Sequence, residues 1–179
     1  MNILVEKLPT EIEVDGQLCK INSDFRPCLR TILAFEDPDL AMYEKQLVMF
    51  ENLYSTIPRN VSAGLIKAVW FLNGGQDNPK EDDGPRLVSF EKDSGLIFSA
   101  FRQTHGIDLE AVEYMHWWKF MALFMDLGKD TVFCDLVGLR KRVKTGKATK
   151  EEKAAAREMG DMFIIPEIDD RTLEEKEAE

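Results

Sequence analysis

Cysteine and histidine are scarce in this 179-residue chain, which has three of the first and two of the second. Cys19, Cys28 and Cys134 are an odd number with no CxxC pair, so no disulfide framework is expected, and all three read as small buried residues. A hydrolase or transferase needs a nucleophile, a base and an orienting group, and His105 and His116 are the only imidazoles on offer. GxSxG, P-loop, GxGxxG and HExxH patterns are absent. The chain is therefore expected to be no enzyme, with no catalytic, cofactor-binding or metal-binding residues. Long apolar runs are also missing: the longest, Phe120 to Met125, has six residues, against the ~20 a membrane span needs. The opening Met1-Asn2-Ile3-Leu4-Val5-Glu6-Lys7 lacks the basic and long apolar parts of a secretory signal, which leaves the cytoplasm as the expected compartment. A basic balance is lacking too, since a net charge of −10 repels phosphate and acidic membranes.

What is present is the composition of a folded protein, 44% hydrophobic and 31% charged. Its charge is uneven. Arg140 to Arg157 carries a net +6, whereas Pro166 to Glu179 carries −5. The expected class is mainly α: a single compact multi-helix domain over residues 1–165, with a short N-terminal β-hairpin and an acidic, disordered tail over 166–179.

Strand-like alternation around Asp15-Gly16 predicts the hairpin, from about Glu11 to Ile21. Asp24 or Ser23 is placed to cap a helix over Phe25 to Phe35, with Pro27 tolerated in the first turn. Leu40, Tyr43, Leu47, Phe50 and Tyr54 have the spacing of one apolar stripe on a second helix, Leu40 to Tyr54. Val61 to Leu72 follows and stops at Asn73-Gly74-Gly75. Gln76 to Arg86 reads as a mobile loop. Ser89 is placed to cap a helix from Phe90 to Thr104, ending at His105-Gly106. From Leu109 to Leu127 the residues are apolar in every direction, which predicts a buried central helix capped by Asp108. Asp130 or Thr131 opens the next helix, through Leu136 and Leu139 to Thr145-Gly146. Thr149 and Glu152 have capping-box spacing ahead of the alanine-rich Lys153 to Met162.

Each candidate residue has a structural alternative that outweighs its functional one. His116 reads as a hydrogen-bonded side chain at the edge of the core rather than a base or ligand, and His105 as a helix-end residue. Zinc on Cys19, Cys28 and the histidines matches no familiar spacing. Glu81-Asp82-Asp83 and Asp169-Asp170 lack the alternating ligands of a calcium loop. Trp117 and Trp118 point ~100° apart on a helix, so they cannot face one groove together, and core is the better assignment for both. The basic stretch Arg140 to Lys150 has no interleaved aromatics for stacking on bases, which disfavours nucleic acid.

Phe90-Glu91-Lys92-Asp93, Ala100-Phe101, Gly106-Ile107-Asp108-Leu109 and His116-Trp117-Trp118-Lys119-Phe120 with Ala122-Leu123 together form a signature. With Asp24-Phe25-Arg26 and the lysine-rich helix before Pro166, the chain resembles a small tail-morphogenesis protein family of phages and prophages of Gram-positive bacteria. The resemblance implies a non-enzymatic tail assembly chaperone that holds the tape-measure protein soluble while the tail tube forms and is absent from the finished virion. It carries over no partner-binding residues. A structural tail component retained in the virion, and a nucleic-acid-binding accessory acting through Arg140 to Lys150, remain as alternatives. Such a chaperone calls for grooves between helices, adaptable methionines such as Met42, Met49 or Met125, and possible self-association along its partner.

Overall fold

The computed structural model describes residues 3–77 and 84–165. These residues form seven α-helices, one short 3-10 turn and a two-stranded antiparallel sheet, which makes the protein mainly α. They group into two compact units, one of residues 3–77 and 113–122, the other of residues 84–112 and 123–165.

Unit one begins with the hairpin β1 (Glu11–Val14) and β2 (Gln17–Lys20). Asp15 and Gly16 both adopt positive φ, +49° and +74°, which is the backbone a two-residue hairpin turn demands. Ile12 pairs with Cys19, and both are buried. Helix α1 (Phe25–Glu36) is capped by Asp24, whose Oδ1 accepts from the Arg26 amide at 3.1 Å. It packs on α2 (Met42–Leu53), and α2 packs on α3 (Val61–Leu72). The α2 face differs from the expected stripe. Lys45, Met49, Phe50 and Leu53 are buried, whereas Tyr43 and Leu47 are exposed. Lys45 explains the rotation: its Nζ donates to the Phe35 carbonyl at 3.1 Å, a cation seated at the end of α1. Tyr54 lies beyond the helix, where its hydroxyl donates to the Gly64 carbonyl at 2.8 Å.

The central helix is the largest correction. Only Trp117–Met125 is helical (α5), not Leu109 to Leu127. Asp108 does accept from the Glu110 amide, at 3.1 Å, but this closes one turn rather than a helix. Residues 115–117 pair instead with residues 23–25. The Phe25 amide donates to Met115 O at 2.9 Å, and the Trp117 amide to Ser23 O at 2.7 Å. The second oxygen of Asp24 takes the Met115 amide at 3.0 Å. One carboxylate thus caps α1 and fixes the approach to α5, and these tertiary backbone bonds replace helical ones. Burial along α5 also falls short of all-round: Trp117, Trp118 and Phe120 are buried, but Met125 is 80% exposed.

Both tryptophans are core, as expected, and they share one task. The Trp117 indole donates to Leu72 O at 2.8 Å and the Trp118 indole to Phe71 O at 2.7 Å, at the C-terminal end of α3. Final carbonyls of a helix lack intrahelical donors, and the two indoles satisfy them. The chain leaves α3 through Gly74 and Gly75, both at positive φ, and Gly75 passes under the Trp118 ring. His116 is buried. Its Nδ1 accepts from the Trp118 amide at 3.1 Å, so its Nε2 carries the proton and donates to Pro9 O at 2.9 Å. Burial lowers its pKa below the ordinary 6.5 despite the Pro9 bond. Cys28 is buried beside Asp24, and desolvation foremost, then the carboxylate, raises its thiol pKa far above the usual range.

Unit two contains α4 (Ser94–His105), α6 (Val132–Lys144), α7 (Lys150–Glu158) and the 3-10 turn Gly160–Met162. Helix α4 starts four residues later than expected, because 90–93 form a turn that Ser89 closes by accepting from the Lys92 amide. Gly106, at φ +65°, ends it as the sequence predicts. Thr131 caps α6 and the Thr149–Glu152 capping box starts α7, both as read. Residues 78–83 of the expected loop, with Glu81-Asp82-Asp83, and the expected tail with Asp169-Asp170 lie outside the described residues.

Candidate partner-binding cleft

Unit two is organised around Arg140, whose side chain has no solvent exposure. Its guanidinium grips the Asp93 carboxylate with both terminal nitrogens, at 2.7 and 2.9 Å. The remaining donors go to the carbonyls of Leu87, Phe163 and Met162, at 3.1, 3.0 and 2.6 Å. Asp93 also accepts from the Ser89 amide at 3.0 Å. A fully paired guanidinium of this kind is the arrangement that makes a buried charge tolerable. The expectation that Arg140 belongs to a basic surface is therefore corrected: its charge is inside.

Arg140 and Lys92 together tie down the segment after α7. Lys92 Nζ donates to Asp161 O at 3.4 Å and to Ile164 O at 3.1 Å, while Arg140 takes the two carbonyls between them. Four successive carbonyls, 161 to 164, are held by two cations. Ile165 is buried beyond them. This strap fixes Met159 and Met162 beside α6 and α4.

The result is a cleft of about 430 Å³, within the ~300–1,000 Å³ typical of ligand-holding clefts. Leu96 of α4, Val132, Leu136 and Leu139 of α6, Ala155 of α7, and the two strap methionines supply its apolar walls. Leu136 and Leu139 are buried and form the floor, while Val132 and Met162 are more than half exposed. Three charged residues complete the lining: Asp135, Arg142 and Glu152. Arg142 Nε donates to Glu152 Oε1 at 2.8 Å, and Glu152 Oε2 closes the α7 capping box on the Thr149 amide at 3.0 Å.

Sequence reasoning assigned no binding residues, and its adaptable methionines fall elsewhere. Met49 is buried and so cannot serve as a binding surface. Met42 and Met125 are exposed but do not line the cleft. Val132, Leu136 and Leu139 are spaced three and four residues apart, so one face of α6 was readable; that Met159 and Met162 lie opposite was not. His105 ends α4 as expected and its Nε2 bonds the Leu123 carbonyl at 2.9 Å. Among the described residues, no three His, Cys, Asp or Glu side chains converge on a metal position. No described helix is long and apolar enough to cross a membrane.

The family model described as Bacteriophage Gp15 protein matches residues 4–164 of the chain. No curated protein and no solved structure matches the chain.

Proposed function

We propose, from the premise that the chain belongs to the bacteriophage Gp15 protein family, that it is a non-enzymatic tail assembly chaperone whose unit-two cleft holds a helical stretch of the tape-measure protein. The observation that carries this reading is the cleft itself. Seven apolar side chains line it, two of them methionines, and thioethers adapt to the uneven side chains that a long helical partner presents in succession. A tape measure is long and prone to aggregate until tube subunits surround it. A soluble acidic body with a weak apolar groove, engaged in several copies, suits that task. Its place of action is the host cytoplasm.

Co-expression tests the proposal. Overlapping tape-measure fragments that are insoluble alone should become soluble and co-purify with the chain, and Met159→Glu, at a 38% exposed position, should reduce that recovery. Unchanged insolubility across all fragments would overturn it. Mass spectrometry of purified particles separates the structural alternative, because a chaperone is absent from virions and a tail component is present.

A further inference from the structure

Asp135 gives the cleft a polarity. Val132, Asp135, Leu136, Leu139 and Arg142 all line it, and steps of three and four residues place them along one face of α6. That face is about 15 Å long at ~1.5 Å per residue, three turns of a helix laid against it. Arg142 closes the C-terminal end, where its charge is answered by Glu152. Asp135 stands exposed at the other end and takes part in no ion pair among the described residues. The free charge of the groove is therefore a single carboxylate at one end of an apolar floor.

We infer that the cleft selects a basic amphipathic helix, and that Asp135 determines this by pairing with a lysine or arginine beside the helix's apolar stripe. The inference rests on the cleft being a partner site. It adds the partner's chemistry and its direction: apolar anchors at i, i+3 or i+4, and i+7, with the basic residue toward the Val132 end. Asp135 supplies that local contact within the lining of the cleft.

The test uses the full chain and two labelled synthetic peptides with one shared leucine and methionine stripe, flanked by lysine in one and glutamate in the other, read by fluorescence anisotropy. The lysine peptide should bind, and the glutamate peptide should bind at least threefold more weakly. Asp135→Asn should weaken the lysine peptide about threefold to fivefold, the size of an exposed pair. Glu110→Gln alters the net charge equally at an exposed residue outside the cleft and should leave binding unchanged. Met159→Glu and Val132→Glu, at positions 38% and 66% exposed, are compatible with folding and should each abolish binding. Equal binding of both peptides, equal effects of Asp135→Asn and Glu110→Gln, or full binding by both cleft variants would each overturn the inference. So would self-association of the chain that Met159→Glu abolishes, which assigns the cleft to a second copy. Peptide binding without rescue of any tape-measure fragment leaves the cleft's chemistry standing and removes the chaperone. Rescue undiminished by either cleft variant leaves the chaperone standing and removes the cleft as its partner site, on which the inference rests.

Discussion

Replacing Asp93 by asparagine removes one charge from the Arg140 pair while keeping the side chain's shape. The guanidinium then remains buried, with 0% exposure, opposite an amide that accepts with one atom and presents N–H groups with the other. Whichever way the amide turns, those N–H groups face an Arg140 nitrogen, and in one orientation the Ser89 amide as well, all of them donors. Leaving a buried charge uncompensated costs about 3–5 kcal/mol, a large part of the ~5–15 kcal/mol by which domains are stable. At about 2.1 cal/mol/K per residue, unfolding the 157 described residues carries an entropy of about 0.33 kcal/mol/K. Asp93→Asn should then lower the melting temperature by about 9–15 °C, and by more if unit two melts separately. Calorimetry and urea unfolding of the purified chain measure it. The double variant Asp93→Leu, Arg140→Met should recover only part of the loss, because the carbonyls of Leu87, Met162 and Phe163 lose their donor as well. A loss below about 1 kcal/mol for Asp93→Asn, the size of a surface pair, would refute the reasoning by showing that Arg140 escapes to solvent.

His116 makes stability depend on pH. Its folded pKa lies below the ordinary 6.5, so the unfolded chain takes the proton first; stability is full above 6.5 and falls as the pH drops through it toward the folded pKa. Thermal melts from pH 8 to 5 should show that decline in the wild type and lack it in His116→Gln, and identical profiles would contradict the neutral buried imidazole. The consecutive glycines after α3 should respond unequally to alanine. Gly74→Ala, with open space around it at φ +71°, should cost about 1–2 kcal/mol for the left-handed backbone alone. Gly75→Ala places a Cβ 2.5 Å from the Trp118 ring and should cost about 1–3 kcal/mol more; equal costs by chemical denaturation would rule out the close approach.

Local signals were legible where the chain closes its own hydrogen bonds. Asp15-Gly16, the Asp24, Thr131 and Thr149 caps, and the glycine stops after α3 and α4 all bond within a few residues, so type and spacing revealed them. Long-range bonds were not legible. Asp93 and Arg140 are 47 residues apart, and Arg140-Lys141-Arg142 has the composition of a solvated helix end. Nothing in it marks the first arginine as interior. The expected helix from Leu109 failed for the same reason: the partners of residues 115–117 lie about 90 residues earlier, at 23–25, and apolar composition is silent about such pairing. On α2, Lys45 overrode hydrophobic spacing because a distant carbonyl needed its ammonium.

The same distinction separates what makes the chain recognisable from what the proposed partner would touch. His116, Trp117, Trp118 and Asp24 each direct polar atoms at particular backbone groups. A replacement must supply the same donor or acceptor in the same place, so these positions constrain residue type tightly. Leu96, Val132, Ala155, Met159 and Met162 need only be apolar and of suitable size, and exchanges such as leucine for methionine cost little. Asp135, to which the proposal gives the selection of the partner, takes part in no ion pair among the described residues. A chain of this fold can therefore change its partner by substitutions that leave its signature intact, which is why the signature around His116 to Phe120 identifies the scaffold while the face of α6 from Val132 to Arg142 is where the proposed recognition resides.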